Sequence, residues 1–265
     1  MSDEDTTTIY TINRTLFERV SSCACTLSAN TSGRMVDSRR KQIASVIFGK
    51  IALHAYTMLQ IAPSNSHDVH GYPFAFPDYA SVFVLARAVM EGYCTLYYTA
   101  IDDISEDERN FRILLGDYHA KKKRVDLLKA LGRTPAELPE LEADADALRT
   151  ALQQTDTTGI WDGKKLFLLS NTDICAKAGI AQRNYKPLYD YLSSYTHGYP
   201  ISIEQILDIS SINHVLNLLI PFWDVCSGYV CFAIRDFIRL FPDQNVFVDT
   251  IIQRTIIRFE ENFRS

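Results

Sequence analysis

The chain has 265 residues, 47% of them hydrophobic and 22% charged, enough apolar side chain to bury a substantial core in one large or two small domains. A formal net charge of −5 and a pI near 5.7 exclude a global attraction to nucleic acid or to an anionic membrane, so such a partner would need a local basic patch. The opening MSDEDTTT lacks the basic and apolar stretches of a targeting peptide, which gives the expectation of a cytoplasmic protein. Six cysteines, at positions 23, 25, 94, 175, 226 and 231, form no CxxC pair and read as reduced, mostly buried thiols.

Apolar residues recur at intervals of three and four almost throughout, and strand-like alternation is nearly absent, so the expected fold is all-α. A first helix is expected over about Tyr10–Leu27 and a second over Val36–Ile61, followed by the Pro-, Ser- and Gly-rich linker APSNSHDVHGYPFAFP. Asp78 after Pro77 is a good N-cap for a third helix reaching Ile101. The capping box SEDE at Ser105–Glu108 opens a fourth helix that runs to Ala130 and stops near Gly132. TPAE at Thr134–Glu137 announces a fifth, acidic surface helix. A short helix around Asp173–Ala178 halts at Gly179, and another carries YDYLSSYTHG from Tyr189 to its stop at Gly198. Two helices close the chain, about Ile212–Leu240 and Asn245–Phe263. The apolar stretch HVLNLLIPFWDVCSGYVCFAI within the first of them is broken by Asn217, Pro221 and Asp224. It falls short of about 18 uninterrupted apolar residues and reads as a core helix kinked near Pro221. No linker clearly splits the chain, so a single all-helical domain is expected, with no membrane span.

Two helical stripes can carry chemistry. Arg87 and Glu91 are four apart on the third helix, either as an exposed ion pair or as a partly buried pair that needs further hydrogen bonds. Tyr189, Ser193 and His197 also repeat every four residues, about 6 Å of rise apart at each step. A histidine near a helix end is ordinarily a capping or core residue favoured by the dipole, but the glycine after it leaves the imidazole at an edge that a cleft can reach. The basic run HAKKKR supplies Lys121, Lys122, Lys123 and Arg124 as a phosphate-contacting surface for RNA or as a solvated face, without the interleaved aromatics of a stacking platform. SHDVH places His67, Asp68 and His70 in one loop; with His197 they could bind a metal, but no helical HisxxxHis or GluxxHis frame supports this, and no metal is expected. Phosphate-binding glycine loops, a nucleophile elbow and dinucleotide fingerprints are absent, so no cofactor and no nucleotide are expected.

LARAVMEGY, a Lys-rich helix, WDGKK, AKAGI and YKPLYDYLSSYTHG, in that order, resemble a bacterial all-helical family known as domain of unknown function 5677. The resemblance covers about residues 76–199 and rests on ArgxxxGlu, TrpxGly and TyrxxxSerxxxHis. That family is in turn distantly similar to the HEPN superfamily, which includes metal-independent ribonucleases and toxins of bacterial defence and stress systems. The resemblance implies a HEPN-like core with flanking helices at 10–61 and 212–263, and RNA phosphodiester cleavage. His197 would exchange protons with the attacking 2'-hydroxyl or the leaving group, and Arg87 would stabilise phosphate charge. Ser193 and Tyr189 would orient groups, and Glu91 would position Arg87. The superfamily's nucleases carry an arginine four to six residues before the histidine; here those positions hold Tyr191, Leu192 and Ser193, and the nearest preceding arginine is Arg183. Activity therefore requires Arg87 to arrive beside His197 from its own helix.

The alternative is a non-catalytic interaction module in which the same five residues form a hydrogen-bond network tying helices together. A homodimer is expected on either reading. Phe222, Trp223, Tyr229, Phe232, Phe237 and Phe241 surround the 212–240 helix, and a helix apolar on every side must be enclosed on every side; HEPN-like proteins also pair their clefts across a two-fold axis.

Overall fold

A computed structural model of the protein describes residues 3–63, 78–132, 136, 138–156, 161–197, 199–209 and 211–264, and among them every regular element is a helix. The chain forms two compact units, Met1–Tyr97 with Asn171–Ser265, and Tyr98–Ser170.

The first unit is built from α1 (Asp3–Thr31), α2 (Arg39–Ile61) and α3 (Tyr79–Leu96), then α6 (Asn171–Lys177), α7 (Gln182–His197), α8 (Pro200–Asp208), α9 (Ile212–Leu240) and α10 (Thr250–Arg264). Its centre is α9, which packs against α1, α2, α3 and α10. Trp223 meets Phe17 of α1 at 5.0 Å between ring centroids, Phe237 stacks on Phe48 of α2 at 4.0 Å, and Tyr229 meets Tyr93 of α3 at 5.9 Å. All six aromatics that argued for a dimer are buried inside this one chain. The surface argument for a homodimer thereby loses its premise, because α1, α2, α3 and α10 already supply the enclosure. By length and composition α2 and α9 could each cross a membrane, but 67% of the apolar window of α9 lies buried in the unit, the environment of a core helix.

Local signals set most helix starts. Ser38, Asp78 and Ser211 each accept a hydrogen bond from the backbone N–H three residues on, opening α2, α3 and α9. The acidic terminus is part of α1 and not a tail: Asp3, Glu4 and Asp5 occupy its first turn, at the positive end of the helix dipole, so the helix begins well before Tyr10. Gly179, at φ 83°, takes the left-handed conformation that ends α6. Three elements depart from expectation. α8 was not anticipated, although Pro200 stands at its first turn. A 3-10 segment, Pro242–Phe247, precedes α10, which consequently starts at Thr250. The third expected helix gives way after Leu96 to a π-helical turn over Tyr97–Ile101.

In the second unit α4 (Glu106–Ala130) and α5 (Leu138–Thr155) pack around Phe111, Leu115, Tyr118 and Leu152. Ser105 caps α4 by accepting from Glu108 N, whereas Thr134 and Glu137, the expected cap of α5, lie outside the described residues. The wide π turn is held by buried arginines of α4. Arg112 Nη1 donates to Tyr98 O at 2.9 Å and to Asp102 Oδ2 at 2.8 Å, and Arg109 Nη2 donates to Asp102 O at 2.8 Å. Trp161 packs edge-on against Tyr118 at 5.8 Å. The Asp162 carboxylate accepts from Lys164 N and Lys165 N, so WDGKK is a turn that closes this unit's core.

Candidate functional site

Helices α3 and α7 lie against each other within the first unit, and this brings Arg87, Glu91 and Tyr189 into a closed triangle. Arg87 Nε donates to Glu91 Oε1 at 3.0 Å, Arg87 Nη2 donates to the Tyr189 hydroxyl at 2.9 Å, and that hydroxyl donates to Glu91 Oε1 at 2.9 Å. The guanidinium also lies over the Tyr189 ring, 4.8 Å from its centroid, and that ring stacks on Tyr185 at 5.2 Å. One side chain therefore uses its π face, its hydroxyl hydrogen and its oxygen lone pair on the same ion pair.

The electrostatics follow from partial burial, with the Arg87 side chain 16% exposed and that of Glu91 40% exposed. Burial pushes the Tyr189 phenol above its ordinary value, helped by the Glu91 carboxylate that accepts its hydrogen. It thus stays a neutral donor. For Arg87, burial alone would lower the guanidinium; Glu91 and Tyr189 more than offset this and hold it above its ordinary value. One guanidinium nitrogen, Arg87 Nη1, is buried without a hydrogen-bond partner among the described residues.

Ser193 and His197 do not join the triangle. The Ser193 hydroxyl donates to Tyr189 O of its own helix at 2.7 Å. His197 is exposed at the last residue of α7, makes no hydrogen bond among the described residues, and packs its ring against Tyr199 at 5.6 Å. Eight residues separate it from Tyr189, about 12 Å along the helix. The expected meeting of Arg87 with His197 is not found among the contacts of either side chain; the guanidinium is committed to Tyr189, two turns away. Spacing by four aligns a stripe, but it also spreads that stripe along the axis.

The basic run lies on α4. Lys121 pairs with Asp144 and Lys122 with Asp126 at 2.8 Å, while Lys123 and Arg124 are exposed and have no ion pair among the described residues. A neighbouring groove of about 410 Å³ between α4 and α5 is lined by Lys122, Lys129 and Arg149, but also by Asp126, Glu142 and Asp146. Half of the run is thus neutralised by acidic residues of α4 and α5, the pattern of a solvated face. His67, Asp68 and His70 lie outside the described residues, among which no cluster of three or more His, Cys, Asp or Glu could hold a metal ion.

Spacing did not reveal two buried polar clusters. Asp236, fully buried on α9, accepts from Tyr93 of α3 at 3.0 Å and from Arg235 at 2.8 Å; the charged pair within the apolar stretch AIRDF was the available signal. The other is the Asp102, Arg109 and Arg112 cluster described above, whose partners are too distant in sequence to show as a motif.

A family described as "Family of unknown function (DUF5677)" matches residues 65–214, a span that holds all five residues of the two stripes. Neither the curated proteins nor the solved structures give a match.

Proposed function

The chain belongs to the DUF5677 family of unknown function, and from that premise we propose that it is a non-catalytic helical interaction module whose Arg87, Glu91 and Tyr189 network fixes α7 on α3. One observation carries this reading: the Tyr189 hydroxyl bridges both members of the ion pair, so the carboxylate and the phenol are committed to the guanidinium and to each other and leave no open acid–base pair. Purified protein incubated with single-stranded RNA in a chelator should produce no cleavage above buffer, and Arg87→Met should lower the melting temperature. Cleavage that disappears in His197→Ala, with the melting temperature held within a few degrees, would overturn the proposal.

A second reading, metal-independent RNA cleavage of the HEPN type, is favoured by the exposed His197 and by Arg87 Nη1, neither of which has a hydrogen-bond partner among the described residues. In that reading His197 exchanges the proton of the 2'-hydroxyl or of the leaving group, and Arg87 turns its free edge toward the phosphate. Ser193 and Tyr189 orient groups, Glu91 positions Arg87, and Lys123 with Arg124 contact the RNA backbone. The same assay separates the two readings.

A further inference from the structure

We propose that Cys94 and Cys175 form a disulfide across the neck of the second unit when the protein meets a small-molecule disulfide. Cys94 lies in the last turn of α3, just before the chain leaves the first unit at Tyr97, and Cys175 lies in α6, just after it returns at Asn171. Both are buried free thiols, and their Sγ atoms are 3.0 Å apart, roughly 1 Å beyond the length of an S–S bond. Of the other four cysteines, Cys23 and Cys25 point their thiols at backbone carbonyls, of Phe247 and Ala52, and Cys226 and Cys231 are buried in α9. Bringing two thiols this close from positions 81 apart in the chain makes the pair a specific one.

The step is two successive exchanges. A thiolate of the pair attacks one sulfur of the reagent RSSR, forming a mixed disulfide and expelling RS⁻, which takes up a proton. The second thiolate then attacks the protein sulfur of the mixed disulfide and expels the other RS⁻. Two protein thiols and one RSSR become one protein disulfide and two RSH; the protein loses two electrons and the reagent gains them. The hydrogen bond to Cys175, then burial, pushes the Cys94 thiol well above its ordinary value. Thiolate is therefore scarce in the closed state: the exchange proceeds through local opening, and reductants reach the completed bond only through the same opening.

The consequence is a clamp. The closed loop contains the whole of the second unit, and a cross-link over so long a loop constrains the unfolded chain strongly. It also ties α3, one turn beyond Glu91, to the segment that leads into α7.

Purified full-length protein is equilibrated in reduced and oxidised glutathione buffers of graded poise, with and without enough urea to promote opening. It is then quenched with acid, alkylated with N-ethylmaleimide in guanidinium and digested without reduction. The expected product is a peptide joining Cys94 to Cys175, lighter by two hydrogens than its separate halves. The oxidised protein should melt about 5 °C or more above the reduced protein, a shift reversed by dithiothreitol and absent from Cys175→Ala. Recovery of Cys94 and Cys175 as alkylated or glutathionylated residues at every poise would overturn the proposal, as would a cross-link that leaves the melting temperature unchanged. Because the peptide map is read on the wild-type chain, it decides the matter even where the variant fails to fold.

Discussion

Gly92 of α3 and Ile51 of α2 approach so closely that a Cβ on the glycine would stand 2.8 Å from Ile51 Cγ1. Helices cross at this distance only where one of them presents no side chain. Gly92→Ala forces Ile51 from its rotamer or the helices apart, and overpacking of this kind costs about 1–3 kcal/mol. The loss should appear as a lower urea midpoint, and because Ile51→Ala removes Cγ1, the separate losses of Gly92→Ala and Ile51→Ala should sum to more than the loss of the double variant. A Gly92→Ala protein as stable as wild type would mean that α2 and α3 do not meet here.

Tyr189→Phe keeps the ring over Arg87 and against Tyr185 but removes the hydroxyl that joins Arg87 to Glu91. The expected loss is about 1–2 kcal/mol, since two charge-assisted hydrogen bonds disappear from a half-buried site. Combined with Arg87→Met, the two losses should fall short of additivity by about 1 kcal/mol in a double-mutant cycle. Strict additivity would show that the triangle holds no energy of its own. Ser193→Ala, whose hydroxyl donates to Tyr189 O of its own helix, should change stability by less than about 0.5 kcal/mol.

Asp236→Asn removes the negative charge that Arg235 and Arg239 share on α9, while Arg235 retains Glu260 at 2.9 Å. Breaking a buried pair by neutralising one member is costly, and about 3 kcal/mol is expected here. Chemical denaturation measures it. The Tyr93 phenol, pushed far above its ordinary value by burial and then by Asp236, should remain un-ionised in the folded variant, readable by its ultraviolet absorbance at alkaline pH.

Asp249 holds the start of α10, accepting from Ile252 N at 2.9 Å and from Arg19 at 2.7 Å. The Ile252 N–H, followed by Arg19, keeps its carboxyl below the usual aspartate range. A folded-state pKa below the unfolded one stabilises the protein above the unfolded value, and that contribution is lost as pH falls through the folded value. Asp249→Ala should therefore cost about 1 kcal/mol near neutrality, and the gap between variant and wild type should close as pH drops below about 4. A gap that widened in acid would contradict the assignment.

Whatever is written locally in the chain could be read from it. The span of α9 from Ile212 to Leu240 follows from apolar periodicity, and the starts of α3 and α4 follow from Asp78 and Ser105, whose side chains need only the next turn to act. What depends on a partner far along the chain was not legible. Spacing names Arg87 and Tyr189 only on separate helices; putting them in one network was an expectation that went beyond spacing, and the packing of α3 on α7, 102 positions apart, joins Arg87 and Glu91 to Tyr189 but not to Ser193 or His197. The same spacing credited His197 to the group, because a repeat of four aligns the three side chains even as each step of about 6 Å carries His197 farther from Tyr189 along the axis. The π turn was missed for a related reason: the carbonyl of Tyr98 is taken by Arg112, which belongs to the following helix.

The nearness of Cys94 to Cys175 also has a meaning for how such a chain can diversify. Where a polypeptide leaves a folded body and re-enters it at neighbouring points, the intervening stretch can lengthen, shorten or be exchanged without displacing the body's own helices. The second unit occupies such a position, so a stretch of different length in its place would leave the α3 and α7 contact, and the Arg87 and Tyr189 pairing on it, where they are.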